Sequence, residues 1–227
     1  MLFSCKLTTY LITGSNRGIG LEYCRQLIAR GDEVIATCRF SSPELEALGV
    51  RVEEGVDVTS IKSILKLKAK LEGTYIDVLI QNAGIAEFNS LSDFDPESIL
   101  RQFEVNALSP LRFTHVFIES MRKGAKVALM TSRMGSIDDN TSGGSYGYRM
   151  SKVALCMAGK SLSIDLHSRG IAVAILHPGL VSTRMTGFTS NGISPEVSVN
   201  GLLSRIDMLS LDNTGTFWHS NGQTLPW

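Results

Sequence analysis

The sequence predicts an α/β domain in which a parallel sheet is covered by helices on both faces. Three observations predict it. Short, β-prone apolar runs alternate with amphipathic helical patterns along the whole chain. The strand runs are near-continuously apolar instead of alternating, as strands buried on both faces must be. The 227 residues show no linker and no internal repeat, so they fill one domain with a sizeable core.

The elements follow in order. Residues 8–12 form the first apolar run, and a glycine-rich turn follows. A helical pattern then runs through Ile19, Tyr23, Leu27 and Ile28 and stops near Gly31. Residues 34–37 make a second strand, and 50–58 contain a third. Thr59 is expected to cap a helix that places Ile61, Ile64, Leu65 and Leu71 on one face. Residues 78–80 give a fourth strand. Asp95-Pro96 supplies a cap and a first-turn proline for a helix reaching Arg122. Residues 127–130 form the fifth strand; a helix over 145–168, closed by Gly170, precedes the sixth at 171–176. Ser194-Pro195 opens a helix through Leu209, and 216–218 is a last short strand.

Lys+Arg and Asp+Glu balance at 22 each, so no cationic excess exists to neutralise a nucleic-acid backbone, and no nucleic-acid partner is expected. Cys5, Cys24, Cys38 and Cys156 form no CxxC pair and read as the reduced thiols of a cytoplasmic protein. Residues 1–6 do not resemble a secretory leader, and no apolar run approaches the ~18 residues of a membrane span. His115, His167, His177 and His219 lack metal-ligand spacing and read as scattered histidines; no metal is expected. The basic amphipathic stretch 62–70 reads as a solvated helix face.

Gly14, Gly18 and Gly20 lie between a predicted strand and a predicted helix, where a glycine turn can hold a dinucleotide pyrophosphate. Gly14 permits the tight turn, the later glycines let backbone and helix approach the ligand, and the helix N-terminus faces the negative charge. Tyr148 and Lys152, four apart, share a helix face. A phenol titrates near ~10, and a neighbouring ammonium is expected to lower that value and make Tyr148 a workable acid/base. Any helix can carry such a pair by chance, so context must decide.

That context is an ordered set of motifs covering nearly the whole chain. Thr13-Gly14-x-x-x-Gly18-Ile19-Gly20 is followed by Gln81-Asn82-Ala83-Gly84, Asn106, Ser132-Arg133-Met134-Gly135, Tyr148-x-x-x-Lys152 and His177-Pro178-Gly179-Leu180-Val181-Ser182-Thr183. Together they resemble the short-chain dehydrogenase/reductase family. The resemblance implies a single-domain, doubly wound parallel sheet (the Rossmann arrangement). The cofactor half would span about 8–131 and the catalytic and substrate half about 132–227.

It also implies roles. Gly14, Ser15, Asn16, Arg17, Gly18, Ile19 and Gly20 would cradle the pyrophosphate, Asp57 and Val58 would contact adenine, and Asn82, Ala83 and Gly84 would flank the cofactor. Ser132 would hydrogen-bond the substrate oxygen, Tyr148 would move its proton, and Lys152 would hold the nicotinamide ribose. Asn106 would complete a water relay to Lys152, while Thr183 and the backbone at Pro178, Gly179 and Val181 would grip the carboxamide. Plainer readings stand beside these: a structural, helix-kinking Asn106, a turn residue at Ser132, a strand-end Asp57 and solvated arginines.

NAD-binding members generally carry an acidic residue after the second strand. Here Thr37-Cys38-Arg39 stands in its place, and Arg39 with Arg17 can pair with an adenosine 2′-phosphate, so NADP(H) is expected over NAD(H).

Two departures stand out. Gln81 replaces the family's usual Asn, and a polar, glycine-rich insert at 138–144 lengthens the Ser132–Tyr148 gap at the expected rim of the site. That insert and the ending 215–227 resemble the compact C-factor (C-signal) and sniffer carbonyl reductase branch. Trp227 is expected to pack back as core or against a partner subunit.

The resulting expectation is an NADPH-dependent carbonyl reductase, or alcohol dehydrogenase, acting on a small carbonyl or alcohol in the cytoplasm. The family also implies a homodimer through the two long central helices. The alternative is a dinucleotide-binding signalling protein with incidental turnover.

Overall fold

A computed structural model describes residues 7–227. From β1 (Thr9–Thr13) the chain passes through α1 (Gly18–Ala29), β2 (Glu33–Thr37), the short α2 (Pro43–Glu46), β3 (Arg51–Glu53), α3 (Ile61–Lys70) and β4 (Val78–Gln81). It continues through α4 (Pro96–Phe103), α5 (Ser109–Phe117), β5 (Lys126–Met130), α6 (Tyr146–Asp165), β6 (Ala172–His177), α7 (Pro195–Asp207) and β7 (Phe217–His219). The strands form one parallel sheet in the order β3-β2-β1-β4-β5-β6-β7.

Side chains alternate across each strand and divide the core into two layers. Tyr10, Ile12, Ala36, Ile80 and Ala128 face α1 and α7, against Tyr23, Leu27, Leu202 and Ile206. Leu11, Ile35, Leu79, Val127 and Val173 face α3, α5 and α6, against Ile64, Leu67, Phe113, Phe117 and Leu155. Both layers are dry, which explains the continuous apolar strands read from the sequence. The strand order reverses between β1 and β4, and the crevice at their carboxyl ends is where a doubly wound sheet takes its ligand.

Several local expectations are corrected. Ser60, not Thr59, caps α3, accepting the Ser63 N–H, because Asp57 Oδ1 takes both the N–H and the hydroxyl of Thr59 at 2.9 and 2.8 Å. The buried face of α3 is Ile64 and Leu67, continued by Leu71; Ile61 and Leu65 face solvent. Asp95 does cap α4, but the helix expected to reach Arg122 widens into a π-helical turn at Glu104–Leu108. Pro110 lies just beyond and has no N–H to donate to the preceding turn. The helix resumes as α5 and ends earlier, at Phe117. Cys24, Cys38 and Cys156 are free and buried; Cys5 and the reading of residues 1–6 lie outside the described residues. No helix among the described residues is long and apolar enough to cross a membrane.

Candidate active site

At the cofactor end, β1 and β4 are tied at their carboxyl ends. Thr13 Oγ1 accepts the backbone N–H groups of Asn82 and Ala83, each at 3.0 Å. The Asn82 amide donates back to the Thr13 and Gly14 carbonyls at 3.0 and 3.1 Å. This approach leaves no room for side chains. A Cβ on Gly14, whose φ is +69°, would stand 2.9 Å from Ala83 Cα, and one on Gly20 would stand 2.2 Å from the Gly14 carbonyl oxygen.

Ser15 Oγ donates to the Ile12 carbonyl, and Asn16 donates to the Phe40 carbonyl at 3.0 Å. No side chain caps α1, so its first N–H groups, from Gly18 and Ile19 onward, are available to an anion. Across the crevice, a methyl on Gly18 would lie 3.6 Å from Thr183 Cγ2, which brings the loop after β6 to the glycine turn. Within that loop Gly179 has φ +87°, Val181 is buried, and the Pro178 carbonyl accepts from Ser198 and Ser220.

Arg17 and Arg39 are exposed. Cys38 is buried beside Arg39, and its thiol is pushed up to about 11 by burial, then by the charges of Glu54 and Glu46. Carboxylates therefore stand near this position although none occupies the end of β2. Glu54 Oε1 is engaged by the Ser41 N–H. Asp57 is held in its local turn with Thr59, and Val58 packs on the sheet layer below. A dinucleotide fits this end: a Cβ would fill the glycine cradle, and the uncapped N–H groups of α1 open onto it.

At the catalytic end, Ser132 follows β5 and Tyr148 and Lys152 lie on successive turns of α6. Ser132 hydrogen-bonds Tyr148 and accepts the Met134 N–H. Lys152 Nζ is buried, donates to the Met130 carbonyl at 2.9 Å, and lies 5.6 Å from the Tyr148 ring centroid. Asn106 is fully buried in the π-helical turn. Its Oδ1 accepts the Ile85 N–H and its Nδ2 donates to the Ile85 carbonyl, both at 2.9 Å, and also to Ser151 Oγ at 3.0 Å. A Cβ on Gly84 would fall 3.2 Å from Asn106 Oδ1 and 3.6 Å from Lys152 Nζ. The four residues expected from the sequence thus converge on one spot.

The electrostatics differ from expectation at one point. Burial raises the Tyr148 phenol, with the Ser132 hydrogen bond opposing, so the lowering expected from a neighbouring ammonium is not what the fold produces. Burial depresses Lys152 itself to about 8, and its Nζ is turned to a carbonyl. Tyr146, two residues before Tyr148 and with no lysine four residues beyond it, lines a surface groove with Ile137 and Met150.

The departures from the family pattern find partners. Gln81 is buried and donates to the Pro110 carbonyl at 3.3 Å. The insert is fastened by an Arg133–Asp139 pair at 3.0 Å and by the Asp138 N–H donating to the Trp227 carbonyl at 2.8 Å. Trp227 stacks on Phe217, with centroids 5.6 Å apart, and stays half exposed.

Sequence reasoning missed three features. His177 and His219 are not scattered: their rings meet edge-on at 4.8 Å at the ends of β6 and β7. Burial, then His219, Arg133 and Lys152, push His177 down to about 3. Gln102, one turn before Asn106, is fully buried and clamps Glu87. Phe88 stands against the Tyr148 ring. The spacing of Gln102 and Asn106, four apart on a helix, was the one available signal.

This fold and this site define a dinucleotide-dependent enzyme with a tyrosine–lysine pair at the carboxyl edge of its sheet. The short chain dehydrogenase profile matches residues 8–193, and the chain belongs to that family of nicotinamide-dependent oxidoreductases. It is 42% identical over 226 residues to 1-hydroxy-2-glutathionyl-2-methyl-3-butene dehydrogenase of Rhodococcus sp. (strain AD45), covering 97% of this chain and 100% of that protein. It is 45% identical over 155 residues to C-signal of Myxococcus xanthus, covering 67% and 93%. Among solved structures, the carbonyl reductase Sniffer of D. melanogaster superposes with a TM-score of 0.89 at 30% identity, over 97% of this chain and 100% of that one. NADPH-bound carbonyl reductase from chicken fatty liver gives 0.88 at 28%, over 97% and 99%. The expected C-factor and sniffer-like relationship is borne out.

Proposed function

We propose that the chain is an NADP(H)-dependent carbonyl reductase, running in reverse as an alcohol dehydrogenase, with Tyr148 as general acid/base. The observation that carries this is the convergence of Ser132, Tyr148, Lys152 and Asn106 beside Gly84, on the same edge of the sheet as the glycine turn. The bound nicotinamide supplies or accepts the hydride. Ser132 holds the substrate oxygen, and Tyr148 gives it a proton during reduction or takes one during oxidation. A raised phenol is protonated at neutral pH and suits the donor role. Lys152, depressed to about 8 and held by the Met130 carbonyl, would be the group to hold the nicotinamide ribose, and Asn106 fixes Ile85.

The glycine cradle from Gly14 to Gly20, with Asn82, Ala83 and Gly84, would take the pyrophosphate and its flanks, and Pro178, Gly179, Val181 and Thr183 would hold the carboxamide. Asp57 and Val58 would border the adenine. Arg17 and Arg39 favour the 2′-phosphate of NADP(H), and NADPH in the similar chicken enzyme supports the same choice. The substrate class is a small or medium carbonyl or alcohol, the half 132–227 its main binder, the cytoplasm its setting and a homodimer the assembly.

Steady-state NADPH oxidation against a panel of aldehydes and ketones, with Tyr148→Phe beside the parent, tests the reading. Turnover by the parent and its loss in the variant, with NADPH binding kept, is expected. NADPH binding without turnover above the variant would overturn it and leave a dinucleotide-binding protein.

A further inference from the structure

The chain leaving β4 is held like a strand, but its first two partners are side chains. Asn106 bonds both backbone groups of Ile85. Gln102 does the same to Glu87, accepting its N–H at 3.0 Å and donating to its carbonyl at 3.1 Å. Two residues of extended chain rise about 6.7 Å and four residues of helix about 6 Å, so amides four apart on a helix match alternate residues of a strand. A third rung follows, where the Ser145 N–H donates to the Asn89 carbonyl at 2.8 Å, directly before α6.

With residues 85, 87 and 89 bonded along one edge, the extended backbone is fixed and Phe88 is carried to the Tyr148 ring. The centroids are 6.0 Å apart at 63°, edge to face, yet Phe88 remains 60% exposed. Phe88 is thus a largely exposed aromatic ring set directly beside the tyrosine that moves the proton. Gln102 also touches the helix that carries Tyr148: a Cβ on Gly147 would stand 2.6 Å from Gln102 Nε2. One buried amide therefore sets the spacing between the two rings.

We propose that Phe88 is a specificity-determining wall of the substrate site and Gln102 its positioning residue, so that the site selects carbonyl compounds bearing a flat apolar group beside the carbonyl. An aryl or conjugated substituent stacks on the open face of Phe88, and a short alkyl chain leaves it wet. This rests on the reading of Tyr148 as the group that moves the proton.

The test is the ratio of kcat/KM for benzaldehyde to that for propanal, measured with saturating NADPH. Phe88→Ala is expected to lower the ratio about five- to tenfold, through the KM for benzaldehyde, as loss of one aromatic contact predicts. Phe88→Tyr keeps the ratio. Gln102→Leu lowers it in the same direction, while Gln102→Glu, which keeps the volume and the acceptor for the Glu87 N–H, retains more of it. An unchanged ratio in Phe88→Ala overturns the wall, and equal ratios in the parent and both Gln102 variants overturn the positioning role. Turnover of neither aldehyde by the parent overturns the functional reading and, with it, this inference.

Discussion

At the glycine turn, backbone touches backbone: Gly14 against Ala83, Gly20 against the Gly14 carbonyl, Thr13 bridging two N–H groups of the neighbouring strand. At the substrate end the chain is instead suspended from side chains, Asn106 and Gln102 on one side and the Arg133–Asp139 pair on the other. The first construction tolerates no added atom. The second tolerates different residues wherever a side chain can still reach a backbone group. Cofactor geometry is thereby fixed, while the substrate wall can vary on the same frame.

The largest expected effect lies where the two constructions meet. Tyr148→Phe removes the proton donor without changing the volume of the ring. Turnover should fall by about 10²–10⁴-fold with NADPH affinity within a few-fold of the parent, read by steady-state kinetics and by cofactor fluorescence titration. A comparable loss of NADPH affinity would show that Tyr148 serves the cofactor end instead.

Lys152 belongs to both ends, and its burial makes a pH prediction. Its value is near 8 in the fold and 10.5 in the unfolded chain, so between those limits the unfolded chain binds more protons. Folding is penalised below pH 8, and the penalty fades as pH rises to 10.5. Lys152→Met removes the penalty. Its stability advantage over the parent, from urea unfolding at a series of pH values, should be greatest at or below pH 8 and shrink through that window. A constant difference across it would contradict the burial argument.

Paired glycine substitutions compare the two constructions directly. Gly20→Ala puts a methyl 2.2 Å from the Gly14 oxygen and should cost about 1–3 kcal/mol with loss of NADPH binding. Gly143→Ala meets nothing within 4 Å and faces only the strain of φ +63°, about 1 kcal/mol, with cofactor affinity kept. Thermal unfolding with and without NADPH separates them, and equal behaviour would erase the contrast.

The same contrast explains what was legible in the sequence. The cofactor end needs glycine at fixed spacing because only glycine fits, so Gly14, Gly18 and Gly20 announce it. The sheet announces itself because two dry layers demand continuous apolar strands. The Gln102 clamp, the His177–His219 contact and the packing of Phe88 on Tyr148 join residues distant in sequence through side chains that suit many other environments. The break in the helix expected over 96–122 has no signal in the sequence beyond Pro110, which withholds an N–H from the preceding turn. Thr59 and Ser60 are equally good caps by residue type, and only the hold of Asp57 on Thr59 decides between them.

The smallest effect concerns the choice between cofactors, where the glycine turn meets a looser surface. Arg39→Ala should raise the Kd for NADPH about tenfold and leave that for NADH nearly unchanged, because one charge-assisted phosphate contact is worth about 1.5 kcal/mol in partly exposed surroundings. Glu54 bears on the same spot, since its charge reaches Cys38 at the end of β2. Glu54→Gln should therefore act in the opposite sense, tightening NADPH by a few-fold at low salt and by less as ionic strength rises, because surface charges are screened. Isothermal titration with both cofactors checks the pair. Equal weakening of NADPH and NADH by Arg39→Ala would place Arg39 on the shared part of the dinucleotide and move the selection of the 2′-phosphate to Arg17.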